Sequence, residues 1–367
     1  MTKPIAIVIG TRPEAIKLAP LILEFRKRNI SHSVIHTGQH DTLSEEVLGK
    51  FEIEPDYNLK IMSKGQTPAS IMSKILQKLP PLLQKINPCF LIVQGDTSSA
   101  LSAAQAAFLG NIPVAHVEAG LRTFDFDQPF PEELNRTMIT QIVSAHFAPT
   151  DSAKRNLIRE QINPGKILVT GNTITDALFH ILGRTIHSKD KIRKKHHVPA
   201  SSKLVLLTSH RRENFGLPQK KIFRAVLKLA DLYPDIRFIY PVHPNPAVSE
   251  NLKMLDNHSQ IRLIEPPGYF DFVPLLAASD IVMTDSGGIQ EEAPSLGKPV
   301  IVLREKTERP ELIQLGAGIL AGSNEKKIMS AFEFFLNQKN SKMDSQNLFG
   351  DGNASARIAG FFTGFAV

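Results

Sequence analysis

The sequence predicts an α/β protein built from two doubly wound parallel sheets, one in each half of its 367 residues. Three observations carry this expectation. Short apolar, β-branched runs alternate with longer amphipathic stretches, as repeated βαβ units with helices on both faces of a sheet require. That rhythm stops in a polar, basic interval of about thirty residues and then restarts. A chain of this length also exceeds one ordinary core and fits two domains of average size.

In the first half the strand candidates are "IAIVIG" (5–10), "HSVIHTG" (32–38), "CFLIVQGD" (89–96), "IPVAHVEAG" (112–120), "AHFAPT" (145–150) and "KILVTGN" (166–172). The second half offers "KLVLLTSH" (203–210), "IRFIYPVH" (236–243), "IRLIEP" (261–266), "DIVMTDSGG" (280–288) and "KPVIVLRE" (298–305). A first domain over 1–182, a linker near 183–202 and a second domain over 203–354 follow. In open α/β sheets, ligands sit beyond the carboxyl ends of the strands. The unusual polar residues fall there: Arg12, Gln39, His40, Asp96, Glu118, His210, His243 and Ser286. Two sheets whose strand ends face each other would enclose one cleft, a favoured place for a small-molecule site.

Composition narrows the class. Apolar residues at 42% and charged residues at 22% describe a globular protein rather than a disordered or membrane one. The lone Cys89 excludes an intramolecular disulfide and a cysteine-rich metal cluster, and a reducing compartment is its simplest home. The first apolar run is too short for a signal segment or a span, which predicts a cytoplasmic protein. The net charge of +7 admits nucleic acid, an anionic membrane or a small anionic ligand. Its densest run, "KDKIRKKHH" (189–197), lacks aromatic interleaving and lies in the expected linker, so it reads as a solvated segment and the excess charge as a bias toward an anionic substrate.

The dinucleotide fingerprint is missing, because "IVIGTRPEAIK" has one glycine where three are needed, and "GAGILAG" (316–322) precedes a strand-like run instead of following one. No phosphate loop of the G-x-x-x-x-G-K-[ST] type occurs. In "DSGGIQEE", Ser286, Gly287 and Gly288 offer a hydroxyl and backbone N–H groups to a phosphate at a helix start. The same residues also suit an ordinary capped helix, with Ser286 as N-cap and glutamates at the positive dipole end. "LREKTERPE" then brings Arg304, Lys306 and Arg309 beside that helix, either for an anion or as a solvated loop.

The first half instead supplies carboxylates. Asp96 and Glu118 end adjacent strand candidates, and Glu132 and Glu133 open a proline-led helix. One such residue is more often a cap than a catalyst. Several at one sheet edge can split their pKa values and provide both an acid and a base. His210, beside Arg211 and Arg212, fits a pyrophosphate contact or a structural role. The twelve histidines are scattered without metal-ligand spacing.

The motifs "GTRPEAIK", "GDT", "HVEAGLRT", "PFPEELNR", "HRREN", "YPVHPNP", "DSGGIQEEAPSLGKPV" and "TERPE" occur in one order along nearly the whole chain. In that combination the sequence resembles the non-hydrolysing UDP-N-acetylglucosamine 2-epimerases. The resemblance implies two Rossmann-like domains of the GT-B type facing each other across a cleft, with a C-terminal helix over 355–367 packing back on the first. It implies reversible conversion of UDP-GlcNAc to UDP-ManNAc by elimination of UDP and re-addition, with no cofactor and no metal. By the same resemblance, Asp96, Glu118, Glu132 and His210 are catalytic, and UDP is held by Arg12, Lys17, Phe272, Ser286, Gly287, Gly288, Glu292 and Arg309. Gln39, His40, Gln66, Arg211 and His243 match an activating UDP-GlcNAc site. Thr42, Gly65 and Pro267 depart from the usual Gln, Arg and Gln. Partners implied are UDP-GlcNAc and UDP, without nucleic acid or membrane, in a homodimer.

Three other readings share the scaffold. A GT-B glycosyltransferase would need an acceptor and one general base rather than three first-domain carboxylates. A hydrolysing epimerase would release ManNAc and UDP, and "TRPEAIK" speaks against it by resemblance. A nucleotide-sugar sensor would bind UDP without turnover.

Overall fold

The computed structural model describes residues 3–39, 41–63, 65–184, 189–243, 245–338 and 347–364. Thirteen strands form two sheets among these residues. The first contains β1 (Ile5–Ile9), β2 (His32–His36), β3 (Tyr57–Asn58), β4 (Phe90–Gln94), β5 (Val114–Val117), β6 (Ala145–Ala148) and β7 (Ile167–Val169). Its order is β3-β2-β1-β4-β5-β6-β7 and its pairings are all parallel. The second contains β8 (Lys203–Thr208), β9 (Ile236–Pro241), β10 (Ile261–Ile264), β11 (Ile281–Thr284), β12 (Val300–Val302) and β13 (Gly318–Leu320), ordered β10-β9-β8-β11-β12-β13 and again parallel. The central strands β1, β4, β5 and β11 are buried along their whole length, as strands covered by helices on both faces must be.

Each predicted strand is present and most stop one to three residues early, where the run turns polar. The two-residue β3 carries no periodicity to detect, and the strand-like "GILAG" run becomes the edge strand β13. In the first sheet the reversal of strand order falls between β1 and β4; in the second it falls between β8 and β11. Those are the places where loops after neighbouring strands diverge and leave room for a ligand.

The chain divides into one unit of residues 1–177 with 349–367 and another of residues 178–348. This boundary lies inside the helix Thr173–Arg184 rather than in the interval 183–202. The basic run is not a solvated tether, because Lys189–Lys195 is a helix in which Lys189 and Arg193 both bind Asp280, at 2.8 and 3.1 Å. Residues 185–188 lie outside the described set.

The C-terminal helix runs Ala354–Phe362, shorter than the expected 355–367, and residues 365–367 lie outside the described set. Phe362 packs edge-on against Phe25 and Phe90 at centroid distances of 5.7 and 5.4 Å, and so closes the first unit's core from the far end of the chain. No helix among the described residues is long and apolar enough to cross a membrane.

Candidate active site

In the first unit the register of β4 on β5 pairs Gln94 with Val117, so the loops carrying Asp96 and Glu118 leave the sheet side by side. Each carboxylate meets a cation from another element. Arg136, on the helix Glu132–Ile142, reaches Asp96 at 2.6 Å, and Lys17, on the helix Arg12–Lys27, pairs with Glu118. Gln94 also donates to Glu118 from the end of β4. Glu118 sits at φ +67°, a left-handed conformation that costs a non-glycine residue energy and is found preferentially where function holds it.

Glu132 and Glu133 diverge, although they are consecutive. Glu133 accepts N–H bonds from Thr123 and Phe124 and binds Arg136 at 2.9 Å, so it anchors the loop and does not join a reactive group. Glu132 keeps a buried Oε2 without a hydrogen-bond partner. An unsatisfied buried carboxylate oxygen is costly, and its persistence marks a place where a ligand group would be welcome.

Behind these loops His116, on β5, holds Gly95 O at 2.7 Å through Nε2. A carbonyl only accepts, so Nε2 carries the proton. Burial pushes this imidazole down to about 4 and keeps it neutral, a fixed donor to the loop that carries Asp96. His146, its register partner on β6, is pushed down to about 3 by the same cause.

In the second unit β8 and β11 align Thr208 with Thr284, whose hydroxyls are 2.6 Å apart. The residue just after β11, Asp285, is fully buried and collects the loop after β8. It accepts from the N–H groups of His210 and Arg211 at 2.9 and 3.0 Å and from Asn214 Nδ2 at 2.9 Å, with His210 Nδ1 at 3.3 Å. Burial lowers the His210 pKa, Asp285 opposes that shift, and Arg211 and His243 add to it. His243 stacks on His210 with ring centroids 5.5 Å apart.

Ser286 does not cap the following helix, Ile289–Ser295; Gly288 occupies the N-cap position and makes no side-chain bond. Arg309 lies against Gly287 so closely that a Cβ there would sit 2.9 Å from its Nη1, and the guanidinium would have to give way to any larger residue. Arg309 is itself gripped by Glu291 at 2.6 Å and Glu308 at 3.2 Å. Arg304 binds Glu308 and Glu213, so it is a strut of the same buried network rather than a solvated or ligand-directed cation. Glu292, one residue after Glu291, faces another way and receives the hydroxyl of Tyr269. Phe272 lies half-buried on the Tyr269 helix, Tyr269–Ala278.

The structure therefore gathers Asp96, Glu118 and Lys17 in one unit, and His210, Gly287 and Arg309 in the other. Arg12 is half-buried at the first turn of its helix. Gln39 and Gln66 meet, the Gln66 amide donating to Gln39 O at 3.0 Å, while Arg211 and His243 belong to the second unit. His40 lies outside the described residues. The sequence alone does not single out Glu14, Gln94, Arg136, Tyr269 or Asp285, and it offers Glu291 only as a glutamate at the dipole end of a helix. Each is an ordinary helix or strand-end residue whose partner is remote in the chain.

Two Rossmann-like parallel sheets, each with its polar groups at the carboxyl ends of its strands, define the class: an α/β protein with the GT-B-like fold. A family model described as UDP-N-acetylglucosamine 2-epimerase matches residues 23–363. The UDP-N-acetylglucosamine 2-epimerase of Yersinia pestis is 43% identical over 360 residues, 96% of each chain. Among solved structures, the UDP-GlcNAc 2-epimerase from Neisseria meningitidis bound to UDP-GlcNAc has 42% identity and a TM-score of 0.92, covering 98% of this chain and 100% of that one. The S. aureus MnaA-UDP co-structure has 40% identity and a TM-score of 0.89, covering 100% and 97%. The chain belongs to the UDP-N-acetylglucosamine 2-epimerase family.

Proposed function

We propose that this chain interconverts UDP-N-acetylglucosamine and UDP-N-acetylmannosamine without hydrolysis. C2 of the sugar has no adjacent carbonyl, so its proton is not acidic enough for direct exchange. Expelling UDP first solves this. A base takes the C2 proton, the C1–O bond breaks with its electron pair going to the UDP phosphate oxygen, and 2-acetamidoglucal remains. Protonation of C2 on the opposite face, with UDP returning to C1, completes the inversion. No step requires a redox group.

The observation that carries the reading is the pair Asp96 and Glu118, just past adjacent strand ends and each held by its own cation, with Glu132 and its unpartnered oxygen at the start of the helix that supplies Arg136. Such groups suit an acid and a base working on two faces of a sugar. In the second unit, Ser286, Gly287, Gly288 and Arg309 would hold the pyrophosphate and Glu292 the ribose hydroxyls. His210, its Nδ1 turned to Asp285, would present Nε2 to the leaving phosphate. Arg12, Lys17 and Phe272 would complete the UDP site. The likeness to relatives bound to UDP-GlcNAc and to UDP supports this assignment.

Gln39, His40, Gln66, Arg211 and His243 would receive an activating second UDP-GlcNAc. The same reading makes the protein cytoplasmic, supplying ManNAc for cell-surface polysaccharide. It also makes the chain a homodimer, and exposed Phe108, Leu109, Leu134 and Met138 on two neighbouring helices are apolar surface suited to a second copy.

Incubation with UDP-GlcNAc in D2O, followed at C2 by NMR, tests the chemistry. Solvent deuterium should enter C2 as UDP-ManNAc accumulates, with no acceptor present. Free UDP with free sugar, or no exchange at all, overturns the proposal.

A further inference from the structure

Glu14 lies where two ligand-side loops of the first unit meet. The residue is 2% exposed. Oε2 accepts the N–H groups of Gly10 and Thr11 at 2.5 and 2.9 Å, in the loop after β1 that leads into Arg12. Oε1 accepts the hydroxyl of Thr97 at 2.5 Å, in the loop after β4 that carries Asp96. Thr97 Oγ1 in turn accepts from Ala100 N at 3.0 Å and caps the helix Ser98–Leu109. Gly10 makes the approach possible, since a Cβ there would stand 2.6 Å from Ser99 Cβ.

A glutamate in a helix's first turn ordinarily caps it at the surface, where its charge stays hydrated. Here the carboxyl is buried against three neutral donors and pairs with no cation among the described residues, which is expensive for an anion. Burial drives its pKa up to about 7, the hydrogen bonds resist, and the charge of Asp96 adds to the rise. Ionisable neighbours are few. β1, β4 and the helix Ser98–Leu109 carry none. On its own helix stand Arg12 and Lys17, the latter paired with Glu118. On the packed helix Asp41–Lys50, Glu45, Glu46 and Lys50 are exposed; Arg357 of the C-terminal helix is tied to Asp351, and His36 of β2 to Ser44. Asp96 is thus the charge with which Glu14 interacts most directly.

We infer that Glu14 is a positioning residue for the acid–base chemistry at Asp96, acting through the Thr97 hydroxyl to set the loop that presents Asp96. The inference rests on the epimerase reading above. Ionised Glu14 accepts from all three donors at once, so the ionised form holds the loop and is the active one. A misplacement of about 1 Å can cost on the order of a hundredfold in rate.

The test is the pH profile of kcat for full-length wild type, Glu14→Gln, Thr97→Val and Thr97→Ser, with UDP affinity measured by calorimetry. In wild type kcat rises through an ionisation near neutral pH. Glu14→Gln loses that rise and runs at least roughly tenfold slower above pH 8, while its affinity for UDP, most of whose proposed contacts lie in the second unit, changes less than about threefold. Thr97→Val slows turnover similarly, and Thr97→Ser, which keeps the hydroxyl, recovers the rate. This second pair decides the question if Glu14→Gln does not fold. A Glu14→Gln enzyme with wild-type kcat and an unchanged profile overturns the inference. So does a loss equal at every pH and matched in UDP affinity, which would make Glu14 a support of the fold alone. Wild-type exchange at C2 in D2O is the control: if it fails, the epimerase reading falls first, and if it holds, only the role of Glu14 is in question.

Discussion

Glu291 and Glu292 are consecutive in the chain and nearly fully buried, and their partners differ. Glu291 binds Arg309 Nε at 2.6 Å, and Glu292 receives the Tyr269 hydroxyl. Successive helical positions point about 100° apart, which separates an anchor for the arginine from a carboxylate suited to neutral hydroxyls. Glu291→Ala removes one of the two buried carboxylates that grip Arg309 and leaves Glu308 as the other, so it should destabilise the protein by about 1–3 kcal/mol in denaturant melts. UDP affinity should fall with it. Glu14 makes a prediction in pH. Its folded carboxyl, at about 7 against an ordinary 4.5, binds a proton more tightly than the unfolded chain does. The stability due to its neutral form is therefore complete below about pH 4.5 and is lost as pH rises through 7, by up to about 3 kcal/mol. The Tm of Glu14→Gln minus that of wild type should accordingly increase between pH 5 and pH 8. The sequence shows Glu14 only as a glutamate in a helix's first turn. Its burial is invisible there, because Thr97 lies 83 residues away.

The helix Ala354–Phe362 illustrates what an element owes to its surroundings. Nine residues form a marginal helix in isolation, and its stability comes from packing. Asp176 accepts the N–H groups of Ala354 and Ser355 at 3.2 and 2.7 Å, placing a carboxyl at the positive end of the helix. Phe362, fully buried, fills a space between Phe25, Phe90 and Phe147. Phe362→Ala should cost about 3–5 kcal/mol in unfolding free energy, through lost burial and the cavity left behind. The run "KDKIRKKHH" is the contrary case. Its composition reads as solvated chain, yet two of its cations close on Asp280, the residue just before β11, and one of them, Arg193, is only 5% exposed. Nothing within the run signals that acceptor.

For the molecule as a whole, His116 and His146 set the acid limit. Both are buried neutral, their pKa values depressed to about 4 and about 3 from 6.5. Unfolding lets them take up protons at a higher pH than the fold does, so the stability they confer is full above 6.5 and is lost as pH falls toward 4 and below. Thermal melts should show Tm dropping across that window, and His146→Gln should lessen the drop. The proposed homodimer is checked by light scattering: Leu134→Glu with Met138→Glu, at positions 41% and 40% exposed, should yield monomers if that face joins two copies. The two parallel sheets were legible in the chain, as was the gathering of polar residues at strand ends, because alternation of apolar runs with amphipathic stretches is written in neighbouring residues. The resemblance to the epimerases was legible for a similar reason, since motifs are short and local. The pairings that make a site of those motifs were not. Lys17 finds Glu118 across 101 residues, Arg136 finds Asp96 across 40, and Asp285 holds the His210 N–H across 75. Parallel strands joined through helices bring together loops that no local period connects, so only the register of the folded sheets decides which carboxylate meets which cation.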